Sequence, residues 1–82
     1  MWGQWHEGTC VDVRLHLPLP ETYPNDFKCK VQLRDRKTQR VIQRRGIGKH
    51  IGNFAPIYIQ LNGERKMLEM LLREKEVKFP ER

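Results

Sequence analysis

The 82-residue chain contains no serine, which excludes a serine nucleophile outright. It has two cysteines, Cys10 and Cys29, too few for a disulfide scaffold. Both fall on predicted strands, where a thiol behaves as a small buried hydrophobe. Close ligand pairs of the C-x2-C or H-x3-H kind are also missing. His6 and Cys10 are the nearest candidates, with His16, Cys29 and His50 scattered, so neither a metal nor a cofactor is expected. No apolar run approaches the ~20 residues of a membrane span. The first ten residues have neither a basic start nor a continuous apolar stretch, so no signal peptide is expected. These absences point to an intracellular, cytoplasmic chain with no membrane partner.

Catalytic chemistry is equally thin. Cys10 and His16 lie on one short predicted strand and are not expected to meet. Glu7 with Asp12 is a sparse carboxylate set for a nuclease magnesium ion. His50 beside Lys49 has no partner base. The chain is expected not to be an enzyme.

Hydrophobic patterning is clearer. Residues 9–17 (TCVDVRLHL) alternate, with Val11, Val13, Leu15 and Leu17 on one face and Asp12, Arg14 and His16 on the other, the mark of a half-buried strand. Residues 18–26 (PLPETYPND) are a proline-rich loop. Residues 27–34 (FKCKVQLR) alternate again, setting Lys28, Lys30, Gln32 and Arg34 opposite Phe27, Cys29, Val31 and Leu33. A turn over 35–38 (DRKT), headed by Asp35, leads to a return strand over 39–45 (QRVIQRR). The turn length leaves the register open. In any register Lys28, Lys30 and Arg34 share a face, joined by Arg40 and Arg44 or by Arg45.

Residues 46–56 (GIGKHIGNFAP) form a glycine-rich loop, and 57–61 (IYIQL) a short apolar strand. Residues 62–75 (NGERKMLEMLLREK) carry a stripe of Met67, Leu68, Leu71 and Leu72 at helical spacing. Asn62 can cap such a helix, and Glu64 suits its first turn. Asn62-Gly63 is also a strong two-residue hairpin turn, but the wealth of helix formers after it favours a helix. A short strand over 77–79 ends the chain. The expected fold is α+β: a small antiparallel sheet of about four strands with one C-terminal helix packed on one face. It forms a single small basic domain over residues 1–82, with an arm at 1–8, strands over 9–61, the helix at 62–75 and a tail at 76–82. From Phe27 to Lys75 the order of three strands and a helix resembles, in element order alone, small sheet-reading DNA-binding domains and double-stranded RNA-binding domains.

Charge is the most informative feature. The net charge is +6. Lys28, Lys30, Arg34, Arg36, Lys37, Arg40, Arg44, Arg45 and Lys49 face a single acid, Asp35, between residues 28 and 49, while acids outnumber cations elsewhere. A concentrated basic segment attracts a polyanion and releases its counterions on binding. A two-stranded basic ribbon suits the DNA major groove or RNA phosphates and 2′-hydroxyls. The glycines at 46 and 48 would bring backbone N–H groups near a phosphate, with Lys49 adding charge, although the P-loop spacing for a nucleotide is missing. Aromatic residues are few on this hairpin, which favours duplex or backbone recognition over base stacking. The expectation is a small non-catalytic nucleic-acid-binding protein, for DNA or RNA, that contacts the phosphate backbone through the basic hairpin. The alternative is a protein-binding accessory or inhibitor that docks a larger partner by shape through Trp2, Trp5 and exposed apolar residues, with the basic hairpin gripping an acidic groove. Those tryptophans otherwise fold back to cover the core. Exposed sheet edges also leave room for a homo-oligomer.

Overall fold

The computed structural model describes residues 1–20, 26–49 and 56–80. Alternating side chains produce a five-stranded antiparallel meander followed by one short helix, an α+β fold. The strands β1 (Val11–Leu15), β2 (Phe27–Asp35), β3 (Val41–Gly48), β4 (Ile57–Leu61) and β5 (Glu64–Met67) lie side by side in chain order, and α1 is Leu68–Arg73. The inward positions of β1, β2 and β4 make the core: Val11, Val13, Phe27, Val31, Leu33, Ile57, Ile59 and Leu61, joined by Leu71 of the helix. Register places Val13 opposite Leu33 and Leu15 opposite Val31, so cross-strand pairs of apolar residues meet on the inner face.

The helix bridges the two ends of the sheet. It packs on β1 at one end and on β4 and β5 at the other. The Thr9 N–H donates to the Leu72 carbonyl at 2.8 Å, and the Cys10 thiol donates to the Glu74 carbonyl at 3.1 Å. The arm of residues 1–8 adds a further edge beyond β1. Trp2 pairs with His16 and His6 with Val13, and the His6 N–H donates to the Val13 carbonyl at 2.7 Å.

Three expectations are corrected. The helix does not run over 62–75. Asn62 (φ 53°) and Gly63 (φ 79°) make the hairpin turn instead, so Asn62 caps no helix, and residues 64–67 pair with β4 as β5. Pairing with a strand whose Ile57, Ile59 and Leu61 are buried outweighs helix propensity, which is weak in so short a segment. The glycine-rich stretch is not all loop: Gly46 and Gly48 belong to β3. They face inward, and a Cβ at Gly48 would lie 2.1 Å from the Phe27 ring, so the sheet requires a residue without a side chain there. The segment 77–79 is not a strand; it is irregular, with Val77 and Phe79 packed against the core. Most of the two expected loops, 21–25 and 50–55 with His50, lies outside the described residues. No described helix is long and apolar enough to cross a membrane.

Candidate nucleic-acid interface

Side chains alternate along each strand, so the polar positions of β1, β2 and β3 emerge together on the outer face. The Asp35 carboxylate accepts the Lys37 N–H at 2.8 Å and the Thr38 N–H at 3.4 Å, as expected for the head of a turn. The Asp35 N–H bonds the Arg40 carbonyl at 2.8 Å, which leaves Arg36, Lys37, Thr38 and Gln39 in the turn and settles the register. Lys30 lies opposite Arg45 and Gln32 opposite Gln43. Arg45, not Arg44, therefore joins Lys28, Lys30 and Arg34 on the outer face. Arg44 lies opposite Val31 and starts from the inner side of the strand.

The pairing lines these residues up across the strands. Trp2 pairs with His16, the His16 N–H donates to the Lys30 carbonyl at 3.0 Å, and Lys30 sits opposite Arg45. β3 and β4 pair only at Gly46, Ile47 and Gly48. Beyond that point they part. Across the gap the same transverse row resumes with Gln60 opposite Arg65.

The carboxylate on this part of the face, Asp12, is 2% exposed. It accepts Nε and Nη2 of Arg34 at 3.1 and 2.8 Å and Nη1 of Arg36 at 2.8 Å. Burial works to raise the Asp12 carboxyl, but hydrogen bonds from Arg34, Arg36 and the Gly8 N–H outweigh it and hold it below the ordinary carboxylate value. The same bond, with the attraction of the carboxylate, raises Arg36.

Trp2 and Trp5 do not enter the core. They are half-buried on the outer face, in contact with its arginines. The Arg14 guanidinium lies 5.2 Å from the Trp2 ring and 4.5 Å from the Trp5 ring, and that of Arg34 lies 4.3 Å from Trp5. Arg14 also donates to Gln32 Oε1 at 2.7 Å. Cation–π contacts and this hydrogen bond hold two arginines in place. His16 meets Trp2 edge-on at 5.2 Å. Its imidazole is held below the ordinary value by partial burial, then by the Met1 ammonium and Lys30.

Two depressions border β3 around Arg44 and Arg45. An open cleft of about 860 Å³ is lined by His16, Pro18, Pro20, Lys28, Lys30, Arg44 and Arg45, among others. A smaller notch of about 300 Å³, where β3 and β4 part, is lined by Arg44, Arg45, Arg65, Tyr58, Gln60 and Ile47. Among the described residues no carboxylate lines either one.

The nine cations of the basic segment thus divide. Lys28, Lys30, Arg34 and Arg45 share the face. Arg36, Lys37 and Arg40 cluster at the turn, Arg44 reaches both depressions from the strand edge, and Lys49 lies beyond the end of β3. Among the described residues the helix and its flanks do not neutralise the face: Glu64 and Glu74 pair with Lys66 instead. Nor is the hairpin a free ribbon. The far edge of β2 is paired with β1 from Val31 to Asp35, and the Arg36 N–H donates to the Cys10 carbonyl at 3.1 Å. It presents a face rather than a blade for a groove.

Sequence reasoning missed Arg14, Gln60 and Arg65. The alternation of residues 9–17 already put Arg14 outward, but Gln60 and Arg65 become neighbours only through the Asn62-Gly63 turn. Burial raises both thiols, Cys10 and Cys29, which keeps them protonated and poorly nucleophilic. Among the described residues no group of three or more His, Cys, Asp or Glu is placed to hold a metal ion. Comparison with protein-family models, with curated proteins and with solved structures found no match.

Proposed function

We propose that the chain is a small, non-catalytic nucleic-acid-binding protein whose outer sheet face engages the phosphate backbone of DNA or RNA. The observation that carries this reading is the row through Lys30 and Arg45, flanked by Lys28 and Arg34, over the Asp12 carboxylate, which is buried and already bonded. Such a face offers phosphate contacts, and Gln32 and Gln43 add amide donors and acceptors suited to sugars and base edges. Arg14 and Arg34 are held before any ligand arrives, which lowers the ordering cost of binding. The rival, docking on an acidic protein through Trp2 and Trp5, is less well supported because both rings are engaged by arginines. Both oxygens of Asp12 are likewise occupied, by Arg34 and Arg36.

The test is a fluorescence titration with oligonucleotides at two salt concentrations. Affinity falls as salt rises, with a slope of about 0.7–0.9 per phosphate contact. Absent or salt-independent binding rejects the reading.

A further inference from the structure

We infer that the ligand of this face is a single-stranded nucleic acid that runs across the sheet along the transverse row, with one base seated in the notch between β3 and β4. The inference rests on the nucleic-acid reading above and narrows it.

Single-strand recognition combines a cationic track with rings and polar groups that meet unpaired bases. The hairpin alone lacks rings. The fold supplies them from elsewhere: Trp2 and Trp5 arrive from the arm, and Tyr58 from β4. Read across the strands, the row is Trp2, His16, Lys30, Arg45, Gln60, Arg65. Strands lie about 4.8 Å apart, so the arm and five strands span about 24 Å. A flexible single strand can follow that path over a curled sheet. A duplex is a stiff cylinder, and the ribbon that would enter its groove is tied to β1.

The notch suits a base. Tyr58 lies between Ile47 and Met67 in the strand register, which gives it an apolar flank. Gln60 presents an amide with both donor and acceptor. Arg44, Arg45 and Arg65 surround the opening and can neutralise the phosphates on either side. The β3 backbone contributes as well. Lys49 N–H bonds the Pro56 carbonyl, and the Asp35 N–H bonds Arg40. Hydrogen-bonding direction alternates along a strand, so Gln43 and Arg45 point their backbone groups toward the gap. The Gln43 carbonyl is taken by Arg44 Nη1 at 2.8 Å, and the Gly46–Ile59 pairing sets the Gln60 N–H against the Arg45 carbonyl, which fixes Gln60 at the edge of the notch. A base still paired and stacked in a duplex cannot enter such a site without being extruded.

The test compares three probes with the full chain: a mixed-sequence single strand, the same sequence as a duplex, and an abasic single strand with the same number of phosphates. Anisotropy gives affinity, and quenching of Trp2 and Trp5 reports contact with the start of the row. The single strand is expected to bind at least about 10-fold more tightly than the duplex. Tyr58→Ala is expected to weaken binding of the base-bearing strand by about 10- to 100-fold and to leave abasic binding unchanged. Tyr58→Phe keeps the ring and retains binding. Gln60→Ala, at an exposed position that cannot disturb the core, weakens the base-bearing strand alone. Duplex affinity equal to or above that of the single strand overturns the inference, as does an equal loss for abasic and base-bearing strands in both Tyr58→Ala and Gln60→Ala. If none of the three probes binds, the nucleic-acid reading itself fails.

Discussion

Asp12→Ala removes the buried carboxylate beneath the basic face, and its cost can be built from the contacts. Arg34 places two nitrogens on one carboxylate oxygen, and its side chain is 28% exposed. A charge-assisted contact of that kind contributes about 1.5–3 kcal/mol. Arg36 is 43% exposed, so solvent screening reduces its share well below that of Arg34. The longer bond from the Gly8 N–H, at 3.3 Å, adds about 0.5 kcal/mol. Relief of carboxylate desolvation offsets part of this sum, leaving a loss of about 2–3 kcal/mol. For a chain of this size that lowers Tm by about 10–20 °C. Urea unfolding followed by circular dichroism measures it, with the midpoint falling at unchanged slope. The pH dependence has a defined sign. Asp12 is held below its ordinary value, so its contribution is complete above the unfolded pKa of about 3.9 and is lost as pH falls through the lower folded value. The gap between wild type and variant therefore closes in acid. A neutral-pH loss below about 0.5 kcal/mol, or one that persists undiminished once Asp12 is protonated, refutes the assignment.

Further outcomes follow from the same contacts. Gly48→Ala drives a methyl group into the Phe27 ring and should cost about 1–3 kcal/mol in a thermal melt, because the strand cannot retreat. Gly63→Ala forces a side chain into φ 79° and should cost about 1 kcal/mol, measured the same way. Lys30→Ala and Arg45→Ala should each reduce the salt slope of single-strand binding by about 0.7 while leaving the melting temperature nearly unchanged. His16 is held below the ordinary imidazole value by burial, the Met1 ammonium and Lys30. A polyanion over it reverses that bias, so affinity should rise as pH falls below about 6.5, and His16→Gln should flatten the profile.

The period-two alternation of residues 9–17 and 27–34 made β1, β2 and their buried faces legible, because one solvated side and one apolar side leave a direct imprint. The Asp35 turn was legible for the same local reason. The stretch after Leu61 was not. Its composition favours a helix, its Asn-Gly pair favours a hairpin, and only the apolar strand before the turn decides between them, through pairing that no local window contains. The outer face shows the same limit. Lys28, Lys30 and Arg34 can be grouped from alternation alone, but adding Arg45 requires the register and adding Trp2 requires the arm to pair with β1. The rings judged scarce on the hairpin were supplied by segments distant in sequence.

The parting of β3 from β4 leaves residues 41–44 without a strand partner on that side among the described residues, with Val41 45% exposed. Such an edge is a template on which another copy of the chain would add its own backbone. Arg40, Arg44 and Arg45 stand along it as like charges that hold copies apart. Stripping those arginines to probe ligand binding therefore also removes a guard against aggregation, and variants that do so are expected to lose solubility at low ionic strength even where their cores are intact.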